Sequence, residues 1–100
     1  MEPIDQTTTP HILSERLLSK AEEFSRYSGE FAQHIKLQAD YFNTFRDNYK
    51  SDNATQKAFD ATPDGVRMAV LKLKLRALTA EMSALKTHMR HLDTSAHNLY

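Results

Sequence analysis

The sequence predicts an all-α protein, an antiparallel hairpin of two long helices that dimerises into a four-helix bundle or coiled coil. Three observations carry that expectation. Leucine falls at every seventh residue from Leu71 to Leu99, and Leu75, Met82, Met89 and Ala96 follow the first four leucines by four residues. Apolar spacing of this kind, held over four heptads, marks a helix built to lie along another helix. A second periodic row, rich in aromatic residues, runs through the first half of the chain. Only two glycines and three prolines occur in 100 residues, and two of the prolines stand at apparent helix starts.

Taken in order, residues 1–9 read as a flexible N-terminal tail, polar and threonine-rich, ahead of a hairpin domain over 10–100. Thr9-Pro10 has the form of an N-cap followed by proline at the first helical position, where the missing N–H costs nothing. From there Ser14, Leu17, Ala21, Phe24, Ser28, Phe31, Ile35, Gln38, Phe42, Phe45 and Tyr49 alternate steps of three and four. That row predicts a helix over 10–50, with Phe24, Phe31, Phe42 and Phe45 holding the hairpin core. Gly29 costs about 1 kcal/mol against alanine inside a helix, which suggests a close approach there. Residues 51–62 read as the connecting loop, with Ala58-Phe59 folding back as a single turn. Thr62-Pro63-Asp64 repeats the cap pattern and adds an acid where the helix dipole favours one, so a second helix is expected over 63–98. At 1.5 Å per residue the two helices would each run about 50–60 Å, and matched helices with a short connection form a hairpin.

The second helix carries two apolar rows. Besides the leucine row, Val66, Val70, Leu73, Ala77, Ala80 and Ala84 keep the same rhythm on another face and shrink from valine to alanine along the chain. One row can meet the first helix; the other needs a third helix, which the chain does not offer. The leucine row can be an intramolecular core stripe, but its length favours a seam between molecules, since a long exposed apolar stripe is an interaction patch or an aggregation liability. The expected partner-binding seam is therefore Leu71, Leu75, Leu78, Met82, Leu85, Met89 and Leu92, meeting a second copy of the chain or another helical protein. Methionine and alanine at the positions between the leucines suit an adaptable bundle core better than a parallel two-stranded coil, which prefers β-branched residues there.

Formal net charge is zero, but it is unevenly spread. Residues 13–50 balance six bases with six acids, whereas residues 66–92 set Arg67, Lys72, Lys74, Arg76, Lys86 and Arg90 against Glu81 alone. Those six bases form a candidate patch for nucleic acid, whose affinity rests largely on phosphate contacts, or for an acidic protein. The plainer alternative is a solvated face paired with the acids of the first helix. Tyr27, His34 and Tyr41 form a seven-spaced stripe beside the first-helix seam; edge-of-core packing is the favoured reading over a base-stacking platform or partner hot spot.

Signals for chemistry are weak. His88 and His91 neighbour each other on one helix, with Asp93 and His97 following, but no Glu-x-x-His pairs stand ready on facing helices, so no metal site and no cofactor are expected. The chain has no cysteine, which removes thiolate catalysis, disulfides and Cys-type zinc sites. Asn53-Ala54-Thr55 matches a glycosylation sequon, but the N-terminal residues have no apolar signal region. No glycine-rich loop or nucleophile elbow is present, so no catalytic residue is assigned. No apolar run nears the ~20 residues of a membrane span. The sequence thus points to a cytoplasmic, non-enzymatic protein–protein interaction module (a small adaptor, assembly or accessory factor), with a basic nucleic-acid-binding bundle as the alternative.

Overall fold

A computed structural model describes the backbone of residues 9–98 and the side chains of residues 9–92. The tail expected over 1–9 lies almost wholly outside them. The chain is all-α: helix α1 spans Pro10–Phe45, a 3₁₀ turn spans Arg46–Asn48, helix α2 spans Asp52–Asp60 and helix α3 spans Pro63–Asn98. The residues group into two compact units, one of residues up to Phe24 with those from Ala77 onward, the other of Ser25–Arg76. In each unit a stretch of α1 packs against an antiparallel stretch of α3, which is the helical hairpin.

Capping sets the helix starts. The Thr9 hydroxyl accepts from the Ile12 amide (3.3 Å) and opens α1. The Ser51 hydroxyl accepts from the Ala54 amide (3.1 Å) and opens α2. The Thr62 hydroxyl does two things at once, donating to the Phe59 carbonyl (2.6 Å) and accepting from the Gly65 amide (3.1 Å). It therefore joins the end of α2 to the start of α3. Each such cap satisfies an amide that the helix itself leaves unpaired.

Two sequence expectations are corrected along this stretch. The first helix stops at Phe45 rather than running to residue 50, tightening into the 3₁₀ turn before Tyr49 takes an extended conformation. Arg46 Nη2 then donates to both carboxylate oxygens of Asp52 (2.9 and 3.2 Å), and the Tyr41 and Tyr49 hydroxyls meet at 3.2 Å. The connection is also not a loop with one turn. It holds the nine-residue helix α2, whose Phe59 and Thr55 are fully buried. Thr55 avoids an unsatisfied hydroxyl by donating to the Ser51 carbonyl (3.0 Å). The sequon threonine is thus a core residue.

The core of unit Ser25–Arg76 comprises Phe59, Thr55, Met68 and Leu71, with Tyr41 packed edge-on to Phe59 at 5.5 Å between ring centres. Gly65 makes that core feasible. A Cβ there would sit 2.6 Å from the Asp60 Cα and closer still to the Phe59 carbonyl, so only glycine lets α3 start against the end of α2. Gly29, where a close approach was expected, has nothing within 4 Å of a would-be Cβ. Among the described residues of the other unit, Leu13 and Leu78 are buried.

The inner row of α1 is rotated by one position from the expected one. Leu13, Leu17, Lys20, Phe24, Tyr27, Phe31, His34, Gln38 and Tyr41 are buried or half-buried, whereas Ser14, Ala21 and Ile35 are exposed. Leu17, Phe24, Phe31 and Gln38 belong to both rows. The rotation exchanges Ser14, Ala21 and Ile35 for Leu13, Lys20 and His34; Leu13 becomes fully buried, Ser28 and Phe42 stay half-buried, and Phe45, expected in the core, is 40% exposed. The polar members find partners: Lys20 reaches Glu81 at 2.8 Å, and His34 donates from Nδ1 to the Glu30 carbonyl at 2.9 Å. Tyr27, His34 and Tyr41 are therefore members of the seam, not a platform beside it.

Candidate partner-binding surface

The seven-residue seam of α3 turns inward. Leu71 and Leu78 are 0% and 5% exposed, Met68 is buried beside them in sequence, and Leu75, Met82, Leu85, Met89 and Leu92 are half-buried. This corrects the expectation that the leucine row stands unpaired and awaits another molecule. In the single chain it is the face that meets α1. Bulk decides the choice: leucine and methionine remove more apolar surface from water than a row tapering from valine to alanine.

The opposite face of α3 stays in solvent. With the leucines at heptad position d, Val66, Val70, Leu73, Ala77, Ala80 and Ala84 fall at c and f, diametrically across the helix. In unit Ser25–Arg76, Val66 is 54% exposed, Val70 37% and Leu73 65%. In the other unit Ala77, Ala80 and Ala84 are exposed too. The large members of this outer row thus cluster near the start of α3, a helix placed by the Thr62 cap and the Gly65 contact.

The six bases do not form one patch. Arg67 and Lys74 stand at the g edge, next to the inner face, and are turned to α1. Arg67 forms a bidentate pair with Glu30 (Nη2 to Oε1, 2.8 Å), and Lys74 lies 4.8 Å from the centre of the Tyr27 ring. Arg26 approaches the same ring at 5.1 Å. These cations change their neighbours' acidity. Hydrogen bonding to Arg67 holds the Glu30 carboxyl below its ordinary range, and Arg26, then Lys74, lower the Tyr27 phenol. In the other unit, hydrogen bonding to Glu81 raises the Lys20 ammonium. His34 Nε2 stands 3.8 Å from the Asp64 carboxylate in the first turn of α3. Lys72 and Arg76 instead occupy the e and b positions and are exposed beside the outer row, as are Lys86 and Arg90 in the other unit.

A shallow groove of about 290 Å³ adjoins the outer row, lined by Gln38, Gln56, Asp60, Gly65, Met68, Ala69 and Lys72. Gln38 donates to the Gln56 carbonyl (2.6 Å), and Gln56 donates on to Asp60 (2.7 Å), so the polar wall is a directed chain across α1 and α2. Nothing in the sequence spacing revealed this wall, because its members come from two helices and face a third. Ala69 and Lys72 line the groove and also border Val66, Val70 and Leu73 along α3.

Among the described residues no group of three or more His, Asp or Glu side chains is placed to hold a metal ion, and no helix is long and apolar enough to cross a membrane. The side chains of Asp93 and His97 lie outside that set. No protein family, curated protein or solved structure matches the chain. What can be assigned is a class, the all-α helical hairpin.

Proposed function

We propose that this chain is a non-enzymatic, cytoplasmic protein-interaction module, and that the outer face of α3 is where a partner binds. The observation that carries the reading is the contrast between the two faces of one helix: Leu71 is wholly buried, while Val66, Val70 and Leu73 stand in solvent. Isolated surface leucines need no explanation, but an aligned apolar row at i, i+4 and i+7 is the spacing by which helices recognise one another. The leucine seam, first expected to bind the partner, serves instead to fix that face by packing α3 on α1. Homodimerisation thereby loses its original argument and becomes one outcome of the test. The alternative nucleic-acid reading rests on Lys72, Arg76, Lys86 and Arg90. It is weakened because Arg67 and Lys74 are engaged by Glu30 and Tyr27.

A photo-activatable side chain placed at position 73, and separately at position 71, tests this in cells that make the protein. Adducts to a protein from position 73, with only intrachain adducts from position 71, are the expected result. Intermolecular adducts from 71 and none from 73 would return the interface to the leucine seam. No adduct from either would end the binding reading.

A further inference from the structure

Accepting the outer face as the binding surface, we propose that its occupant is an acidic amphipathic helix from another protein. Three features of unit Ser25–Arg76 point to that chemistry. Val66, Val70 and Leu73 offer one turn-spaced apolar row, which a helix matches with its own apolar residues at i, i+3 or i+4, and i+7. Lys72 and Arg76 are exposed along one edge of the row, four residues apart and so neighbours on the helix surface. The groove beside that edge, bounded by Ala69 and Lys72, has room for one long side chain from an occupant lying along α3.

Charge selects among occupants. A second copy using the same face about a twofold axis would bring Lys72 and Arg76 toward Lys72 and Arg76 if the two helices run antiparallel, or toward the edge of Arg67 and Lys74 if they run parallel, and like charges brought together at an interface are unfavourable. Nucleic acid would meet an apolar row at the centre of its footprint, with two exposed bases beside it. Binding to phosphate gains affinity with each cation that contacts it, and here Arg67 bonds Glu30 while Lys74 covers Tyr27. An acidic helix leaves neither problem. Its apolar residues cover the row, and its carboxylates lie against Lys72 and Arg76. Asp60 on the far wall of the groove already accepts from Gln56, so the occupant's acids belong on the α3 side.

The experiment uses the full chain and two labelled helical peptides, both with leucine at i, i+4 and i+7. One carries glutamate at the flanking positions and the other lysine; fluorescence anisotropy follows binding. The glutamate peptide is expected to bind at least about tenfold more tightly than the lysine peptide, and more weakly as salt rises. Leu73→Gln and the pair Lys72→Glu with Arg76→Glu should each weaken it by about tenfold or more while leaving the circular dichroism unchanged. Equal binding of both peptides, or none at about 100 μM, overturns the proposal. So does a doubled solution mass of the protein alone that Leu73→Gln abolishes, since a second copy then holds the face. Tighter binding of a single-stranded RNA, indifferent to Leu73→Gln, overturns it in favour of nucleic acid. Should crosslinks form at position 73 while the glutamate peptide fails, the face stands as the binding surface and only the acidic occupant is wrong.

Discussion

Leu71 and Leu73 are two residues apart on one helix and differ about as far as two leucines can: one is 0% exposed, the other 65%. The inner face of α3 is bulky and closed against the chain's own helices. The outer face, half a helical turn away, carries an apolar row that no described residue covers as fully. Both rows keep the same 4-3 rhythm, so periodicity does not separate them. Side-chain volume does. The row of leucine and methionine takes the position where burial is worth most, and the lighter row of valine, leucine and alanine is left outside. One side of the helix thus builds the core, and the other is the side we propose for recognition.

The largest effects should come from breaking the inner side. Leu71→Ala removes a fully buried side chain and is expected to cost about 2–5 kcal/mol, read as a lower denaturant midpoint with an unchanged slope. A loss under about 0.5 kcal/mol would mean that the seam is not core. Next comes the corner where α3 is set. Gly65→Ala drives a methyl group into the Phe59 carbonyl and the Asp60 Cα, an overpacking that costs about 1–3 kcal/mol or more. Gly29→Ala should do the opposite and stabilise by up to about 1 kcal/mol, because that position is helical and open. Thermal unfolding of the two variants side by side distinguishes a glycine that is required from one that is only tolerated.

A smaller effect is expected from Glu30→Gln, and its pH dependence matters more than its size. The Arg67 guanidinium holds Glu30 below the ordinary carboxylate range, so the folded state binds that proton more weakly than the unfolded chain does. The pair's stabilisation is therefore complete above about pH 4–5 and fades as pH falls through the folded value. Wild type and variant should differ slightly at neutral pH and converge in acid; a difference that grows on acidification would contradict the assignment. The smallest effect belongs to the outer side. Leu73→Gln should change stability by no more than about 0.5 kcal/mol, and a cost comparable to that of Leu71→Ala would erase the distinction between the faces.

Much of this architecture is legible in the residues themselves. Thr62-Pro63-Asp64 places the start of α3 correctly, and the inward positions of α3 are those the leucine heptads mark. What the sequence leaves undecided is which of two equally regular rows turns inward, since that depends on the volume available against α1. The first helix illustrates the same point in reverse. Ser14, Ala21 and Ile35 fit the rhythm but stay exposed, whereas Leu13, Lys20 and His34, one position away, are buried or half-buried. Helix α2 escapes notice because Asp52–Asp60 is mostly polar and too short to be stable alone; its burial of Phe59 and Thr55 against the other helices is what sustains it. The basic cluster looks continuous along the chain, yet Arg67 and Lys74 fall on one flank of α3, where Glu30 and Tyr27 engage them, and Lys72 and Arg76 on the other, where they are exposed.

The chain contains no cysteine, so single thiols can report on the two faces without background. The direct measurement is the rate at which a small thiol reagent modifies Leu71→Cys and Leu73→Cys in the otherwise native protein. The account predicts near-free-thiol reactivity at position 73 and reaction at position 71 slowed by orders of magnitude, limited by opening of the fold. Equal rates at the two positions would contradict it, because the leucine seam would then be open and available to a partner.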